Sequence, residues 1–184
     1  PVVYGLPRGG VPVALEVAKA LKAPLDLILV RKIGAPGHPE VALAAVVDGQ
    51  PPQVVVNEDV MASTDATQAY LEECKQRELV ELRRRRALYV GTRAPVSPKG
   101  RTAIVVDDGL ATGATAKSAL QALRRLGAAR LVLAVPVAPA SRLDAMRSVA
   151  DVVVCPETPM SFYGVGAFYD DFHQLTDGEV QGLL

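Results

Sequence analysis

The sequence contains no tryptophan, and aromatic residues make up only 4% of its 184 residues. Proteins that bind single-stranded nucleic acids stack the bases on aromatic side chains, so this scarcity argues against that function. The chain also lacks an excess of either charge, because 20 Lys and Arg residues balance 20 Asp and Glu residues. A neutral chain offers no general attraction to nucleic acid or to a membrane surface, and we expect neither as a partner.

Cysteine is scarce as well. Cys74 and Cys155 are far apart and no CxxC motif occurs, which predicts two reduced thiols in a cytoplasmic protein. A disulfide between them stays open as the alternative. No apolar run is long enough to span a bilayer, and no signal peptide is recognisable. The chain begins at Pro1 in an apolar run without an initiator Met, which indicates a truncated or processed N-terminus.

The length and the 49% of hydrophobic residues fit one globular domain, 1–184. Apolar, β-branched runs alternate with segments of helical periodicity. This order predicts a Rossmann-like α/β fold, with a parallel sheet of about five strands and helices on both faces. The predicted strands include 2–6, 25–30, 102–108, 130–137 and 151–157, and the predicted helices are 9–22, 65–88, 114–127 and 141–149.

The remaining segments are predicted from their turn residues. Glycine and proline mark 34–40 as a loop, and the turn signal DGQPP separates 41–49 from 53–57, which predicts a hairpin or strand pair. Ser63 and Thr64 precede the helix predicted over 65–88 and can cap it.

The stretch VVDDGLATGAT, Val105–Thr115, ends an apolar strand with two acids and continues through a loop into a helix. Asp107 and Asp108 emerge at the rim of the sheet, where ligands of parallel α/β folds bind. Their carboxylates can accept hydrogen bonds from vicinal hydroxyls, and the unpaired amides at the helix start can surround a phosphate. Adjacent carboxylates repel each other unless a cation or a polyol binds. The stretch therefore predicts a sugar-phosphate site.

Two common nucleotide-binding motifs are missing. No GxxxxGK[ST] sequence occurs, and GLPRGG after the first predicted strand lacks the GxGxxG spacing. The predicted phosphate loop is therefore neither a P-loop nor a dinucleotide-binding turn.

VVDDGLATGAT resembles the phosphoribosyl pyrophosphate (PRPP) motif of type I phosphoribosyltransferases, which is an apolar strand, two acids, a short spacer and TGxT. The resemblance extends over most of the chain. GLPRGGVPVA is similar to the pyrophosphate loop of the family, which often carries an unusual cis peptide. VRKIGAPGHPE is similar to the Arg-Lys strand end and the mobile catalytic loop. With its GVGAFYDDF tail, the chain looks most like a bacterial branch of predicted phosphoribosyltransferases.

The resemblance implies the type I phosphoribosyltransferase fold with a small hood from the C-terminal tail. It also implies transfer of the phosphoribosyl group of PRPP to a nitrogenous base, with inversion at the anomeric carbon and release of pyrophosphate. Asp107 and Asp108 would hold the ribose hydroxyls and reach Mg²⁺ through water. The residues implied to bind PRPP are Arg8, Gly9, Gly10, Arg31, Lys32, Asp107, Asp108, Ala111, Thr112, Gly113, Ala114 and Thr115.

The resemblance assigns the residues of this set to different parts of the ligand. Arg8–Gly10 would bind pyrophosphate, 111–115 the 5-phosphate, and Arg31 and Lys32 the charge of the departing diphosphate. The residues implied to act in catalysis are Asp107, Asp108, Lys32 and His38.

The C-terminal tail concentrates five of the eight aromatic residues. Aromatic rings can cover a planar base, and type I phosphoribosyltransferases usually recognise the base from such a hood. Packing in the core or at a dimer surface is the alternative. The residues implied for the hood are Phe162, Tyr163, Phe168 and Tyr169.

Four features have simpler interpretations. His38 and Glu40 lie in the predicted mobile loop and either contact the ligand or are exposed loop residues. His173 is expected to be structural or exposed. The run Arg83–Arg86 follows several glutamates on one helix, which predicts a solvated or dimer-facing surface.

The residues and the resemblance together favour a Mg²⁺-dependent phosphoribosyltransferase whose acceptor is unknown. The alternative is a PRPP-binding regulatory protein without significant catalysis. A PRPP synthetase would need an ATP-binding half for which the chain is too short. The expected partners are PRPP, pyrophosphate and a base-like acceptor, and the family resemblance implies a homodimer.

Overall fold

A computed structural model describes the whole chain, residues 1–184. It contains a five-stranded parallel sheet in the order β2-β1-β6-β7-β8 and a three-stranded antiparallel sheet in the order β3-β4-β5. The strands are β1 (Val2–Gly5), β2 (Leu25–Leu27), β3 (Val30–Ala35), β4 (His38–Val47), β5 (Gln53–Val56), β6 (Thr102–Val106), β7 (Arg130–Ala134) and β8 (Val152–Val154). The helices are α1 (Gly10–Leu21), α2 (Glu58–Ser63), α3 (Gln68–Val90), α4 (Ala114–Arg125), α5 (Ala140–Met146) and α6 (Asp177–Leu183).

Residues of the parallel strands alternate between two apolar clusters, as the pleat of a strand requires. Val3, Ile104 and Val106 pack with Ala14 and Ala18 of α1. Side chains on the other face of the sheet pack with α4 and α5. These side chains belong to Val2, Tyr4, Ala103, Val105, Leu131 and Leu133. Helices cover both faces of the sheet, which confirms the predicted Rossmann-like α/β fold and explains why these strands read as continuous apolar runs.

The antiparallel sheet corrects two predictions. The strand predicted over 25–30 is shorter, since Val30 already begins β3. The loop predicted over 34–40 is a hairpin of β3 and β4, in which Pro36 and Gly37 form the turn. Gly37 has a φ of +71°, a left-handed conformation that glycine adopts without steric cost. Glycine and proline here mark a tight turn and not a long loop.

The other predicted strand pair is confirmed, because β4 and β5 pair in antiparallel register. The helix predicted over 65–88 is α3, but its cap is Thr67, whose hydroxyl accepts a 3.1 Å hydrogen bond from the Tyr70 amide. Ser63 and Thr64 do not cap it, since their hydroxyls donate to carbonyls of the short, unpredicted α2.

A third apolar cluster joins the antiparallel sheet to α3 and α6. It includes Leu43 and Val46 of β4, Leu82 of α3 and Val180 of α6, each at most 2% exposed. The C-terminal segment before α6 contacts the carboxyl edge of the parallel sheet, where the Tyr169 hydroxyl donates to the Asp108 carbonyl.

Arg86 of α3 lies in a largely buried ionic network. Its guanidinium donates to both carboxylate oxygens of Asp26 at 2.8 and 2.9 Å and to Asp48 Oδ2 at 2.7 Å. Asp26 belongs to β2 and Asp48 follows β4, so one side chain ties the parallel sheet to the antiparallel sheet. Withdrawal from solvent raises the pKa of Asp48 to about 6 although the Arg86 charge opposes the shift.

The predicted solvated surface at Arg83–Arg86 is therefore wrong for Arg86. It holds for the preceding residues, since Arg83 is exposed and Glu81 pairs with Arg84 and Arg85 at 2.8 Å.

Both cysteines are free, which rules out the disulfide left open above. No helix combines the length and the apolar character that crossing a membrane requires.

We predict that Arg86→Ala lowers the free energy of unfolding by about 3–5 kcal/mol, because it removes the counter-charge of Asp48 and leaves buried Asp26 only the more distant Arg93 at 3.9 Å. Urea denaturation at pH 7 measures this. Arg83→Ala, on the same helix but exposed, is the matched control and should change stability by less than about 0.5 kcal/mol. Equal losses in both variants would show that the network does not hold the sheets together.

Candidate functional site

Two loops meet at the carboxyl edge of the parallel sheet. β1 and β6 are neighbours, and Gly5 pairs with Val106 at their ends. The Leu6 amide extends this ladder with a 2.9 Å bond to the Val106 carbonyl, so the chain after β1 runs directly beside the chain after β6. The Pro7–Arg8 peptide bond that follows is cis, as the family resemblance implies for this loop.

Gly9 and Gly10 allow the first loop to touch the acidic pair. A Cβ atom on Gly9 would lie 1.8 Å from Oδ2 of Asp108, and one on Gly10 would lie 2.7 Å from the Val106 carbonyl oxygen and 2.8 Å from the Asp107 Cα. No side chain fits at either position unless the neighbouring groups move. The loop 6–10 and the two acids are therefore brought together by the structure, as the sequence predicted.

The two carboxyl groups carry unusual electrostatics. Withdrawal from solvent and the neighbouring Asp108 charge raise the pKa of Asp107 to about 8. Burial also raises the pKa of Asp108. No lysine or arginine charge acts on either group, and the Asp107 Oδ1 accepts a 3.0 Å bond from the Asp108 amide. The pair thus has no cationic partner in the protein, and the raised pKa values mean that it carries less than its full negative charge at neutral pH.

The second loop ends in a row of free amide groups. Gly113, with φ +76°, precedes α4, and no side chain caps that helix. Among the amides of 111–116, only that of Ala114 has a protein acceptor, a long 3.4 Å bond to the Thr112 hydroxyl. Several unpaired N–H groups at one helix start are able to donate to an anion, and they lie in the segment where the phosphate loop is predicted, 111–115.

One cavity borders the acidic pair at Asp108, and a second lies at the amide loop that follows the pair. The first, of about 580 Å³, is lined by Arg8, Gly9 and Asp108 together with Tyr169 and residues 171–175 of the tail. The second, of about 500 Å³, is lined by the loop residues Thr112–Ala114 and by residues of α2 and α4. The first cavity thus lies beside the loop 6–10 and the tail. The second lies beside the unpaired amides of 111–116, and we call its position the free-amide side.

Lys32 lies on the free-amide side. It is exposed on β3 and lines the second cavity with Thr112–Ala114 and Lys117, and neither lysine forms an ion pair. The prediction placed Lys32 beside the departing diphosphate, but the first cavity, with Arg8 and Gly9, does not include it. The cause is that Lys32 belongs to the antiparallel sheet and not to the end of β2.

Arg31 and His38 do not open into these cavities. The Arg31 Nε donates to Glu78 Oε2 at 2.8 Å, and Arg31 lines only a small cavity of about 30 Å³ with Pro7 and Thr115. His38 is exposed near the tip of the β3–β4 hairpin. The structure therefore gives His38 no contact that supports the predicted catalytic role.

The aromatic tail covers the site only in part. The Tyr169 hydroxyl donates to the Asp108 carbonyl at 2.6 Å, and burial together with the two acidic charges raises its pKa to about 12. Phe162 and Phe168 stack on each other with centroids 5.7 Å apart, and Tyr163 is 92% exposed. Of the four predicted hood residues, only Tyr169 reaches the acidic pair.

Several lining residues were not predicted. Phe172, Asp171 and His173 line the first cavity, and Val165 packs so closely over Gly109 that a Cβ there would lie 2.7 Å from its Cγ1. The aromatic cluster of the tail was the available signal for Phe172. No signal in the sequence marks the others, because their place depends on where the tail crosses the sheet.

The family resemblance implies Mg²⁺, and the acidic pair fits such an ion. The two carboxylates, which have no cationic partner, are hard oxygen ligands of the kind Mg²⁺ prefers. No group of three or more His, Cys, Asp or Glu residues could hold a metal alone. An ion at this place would therefore depend on oxygens of its ligand and of water.

Comparison with known proteins points to one family. A family model described as "Phosphoribosyl transferase domain" matches residues 1–173. Two Mycobacterium tuberculosis proteins, named "Putative phosphoribosyl transferase Rv0571c" (strain H37Rv) and "Putative phosphoribosyl transferase MT0597" (strain CDC 1551), are each 46% identical over 183 residues. The match covers 100% of this chain but only 41% of those proteins. The chain thus spans about two fifths of their length.

A solved structure shares the fold over the whole chain. The crystal structure of TT1426 from Thermus thermophilus superposes with a TM-score of 0.87 at 44% sequence identity, covering 100% of this chain and 86% of that one. The fold described above is therefore that of a known relative.

We predict that Gly10→Ala destabilises the protein by about 1–3 kcal/mol, because the added methyl group meets backbone atoms that cannot turn away. Urea denaturation measures the loss. Gly178→Ala is the matched control, since a Cβ at Gly178 in α6 meets nothing within 4 Å. Its stability should equal or exceed that of the wild type, and a Gly10→Ala variant as stable as this control would contradict the described contact.

We also predict that Asp107→Asn stabilises the protein increasingly as the pH rises. The folded pKa of Asp107, about 8, exceeds its ordinary value of 3.8, so ionisation of this group opposes folding between these two pH values. The gain in melting temperature over the wild type should grow from pH 4 to pH 8 and then level off, as thermal denaturation across that range would show. A gain independent of pH would contradict the raised pKa.

Proposed function

The chain belongs to the phosphoribosyl transferase family, and we propose that it transfers the phosphoribosyl group of PRPP to a nitrogen acceptor and releases pyrophosphate. One observation carries this proposal: Asp107 and Asp108, two carboxyl groups without a cationic partner, are followed closely by the segment 111–116, whose amides are almost all unpaired. A phosphorylated pentose needs both kinds of group next to each other, since its hydroxyls donate to carboxylates and its phosphate accepts from amides.

The phosphate end of the ligand belongs on the free-amide side. The amides of Thr112–Ala116 would donate to the 5-phosphate oxygens, and such charge-assisted bonds are the stronger kind. The uncommitted Lys32 and Lys117 share the same cavity and would add positive charge that the loop itself lacks.

The diphosphate end belongs beside the loop 6–10. The amides of Arg8 and Gly9 donate to no protein acceptor, and the Arg8 guanidinium lines the first cavity with Asp108. The ribose hydroxyls would then donate to Asp107 and Asp108, between the two anionic groups.

Mg²⁺ would bind at the acidic pair and supply charge that neutralises the diphosphate as it leaves. What the chain itself contributes is position and electrostatics. The acids hold the ribose on one side and the amides hold each phosphate, so the reacting bond is oriented before reaction. The acidic pair would also lie beside the ribose ring, where positive charge develops, and would stabilise that charge. A homodimer and a cytoplasmic location remain predictions.

The test is calorimetric titration with PRPP and Mg²⁺, followed by a pyrophosphate-release assay with purines, pyrimidines and pyridines. The wild type should bind PRPP and release pyrophosphate with at least one acceptor. The double variant Asp107→Asn, Asp108→Asn should lose release by about 100-fold or more, and the exposed Asp144→Asn should retain it. Binding without release on any acceptor would favour a PRPP-binding regulator, and absence of PRPP binding would overturn both functions.

A further inference from the structure

Two arginine side chains line one small cavity between the two loops of the site. This cavity of about 30 Å³, which we call the notch, is bordered by Pro7 of the loop 6–10, by Thr115 at the start of α4, and by Arg31 and Arg85. Arg31 belongs to β3 and Arg85 to α3, so both side chains reach the notch from elements outside the parallel sheet. The notch therefore brings positive charge between the two loops.

Each of the two guanidinium groups is fixed by a different glutamate of α3. Arg31 Nε donates to Glu78 Oε2 at 2.8 Å, and Arg85 Nε donates to Glu81 Oε1 at 2.8 Å. The terminal nitrogens of both arginines have no acceptor within the protein. Their N–H groups are therefore free to bind an anion, and a guanidinium can bind phosphate oxygens in pairs.

The spacing of residues on α3 explains why Arg85 reaches the notch. Glu78, Leu82 and Arg85 lie at i, i+4 and i+7, which places them on one face of a helix. Leu82 is 2% exposed and also lines the notch, so this face of α3 packs against the site. Arg84 pairs with the same Glu81 as Arg85 but does not line the notch.

The lining of the notch suits an anionic oxygen. No acidic side chain borders it, and its only polar side chain besides the two arginines is that of Thr115, whose amide is among the unpaired ones. Two like charges in one small space repel each other unless an anion binds between them. A volume of about 30 Å³ holds roughly two water-sized atoms, so we expect single phosphate oxygens to enter and not a whole phosphate group.

We infer that Arg85 binds the diphosphate of PRPP, together with Arg31, in the notch beside the loop 6–10. The inference rests on the proposed function, which puts the diphosphate at this loop and gives it only Arg8 as a cation. The 5-phosphate already has Lys32 and Lys117 on the free-amide side. The inference gives a role at the site to one arginine of the run 83–86.

Two adjacent arginines provide the variant and its matched control. Arg85→Ala and Arg84→Ala each remove one positive charge and one ion pair with Glu81, but only Arg85 lines the notch. Calorimetric titration in Mg²⁺ measures the affinity of each variant for PRPP. Arg85→Ala should weaken binding by about tenfold, as expected for the loss of a hydrogen bond to a charged group. Arg84→Ala should weaken it by less than about twofold.

Three further measurements distinguish a binding role from effects on folding and on total charge. Urea denaturation should show similar stability for both alanine variants, since each arginine side chain is at least 40% exposed. Arg85→Lys keeps the charge but loses the planar guanidinium, so it should recover only part of the affinity for PRPP. Ribose 5-phosphate lacks the diphosphate and should bind equally to Arg85→Ala and to the wild type.

The outcomes separate the two proposals. If the wild type does not bind PRPP, the proposed function fails, and the inference about Arg85 fails with it. If PRPP binds and the two alanine variants lose affinity equally, or Arg85→Ala loses none, the proposed function stands and the role of Arg85 is overturned. A loss of affinity for ribose 5-phosphate as large as the loss for PRPP would overturn the assignment of Arg85 to the diphosphate.

Discussion

At the carboxyl edge of the parallel sheet, two backbone segments approach each other more closely than side chains would allow. The loop after β1 touches the acids after β6 because β1 and β6 are hydrogen-bonded neighbours and Gly9 and Gly10 have no Cβ. This contact sets the distance between the free amides of the first loop and the carboxylates of Asp107 and Asp108. Every role that we assign to the site depends on that distance, since one ligand must reach both loops.

The polar groups of the site lack partners within the protein, and a bound ligand would supply them. The acidic pair has no cationic partner, and the amides after it have almost no acceptors. Such a site is costly when it contains only water, and the cost is offset by the rest of the fold. Arg86 contributes at a distance, because its network fixes the antiparallel sheet that carries Lys32 to the amide loop.

The sequence predicted the parallel sheet and the acidic pair well, because both depend on local patterns. Buried strands read as apolar runs, and VVDDGLATGAT follows directly from one of them. The hairpin at 34–40 and the buried ion pairs of Arg86 were not predicted, for two different reasons. Glycine and proline indicate a turn without giving its length, and a basic run does not show which arginine meets Asp26 and Asp48 across the fold. The tail residues around Phe172 depend on long-range packing that no local pattern encodes.

The central claim is that the acids and the amides hold one phosphorylated pentose. Amide NMR spectra recorded during titration with ribose 5-phosphate and Mg²⁺ test it directly, with ribose as the control. The account predicts that the largest shifts lie at Ala111–Ala116, adjacent to Asp107 and Asp108, and that ribose produces no comparable shift at the loop. Shifts confined to another part of the surface, such as the arginine-lined cleft near Arg124 and Arg147, would contradict it.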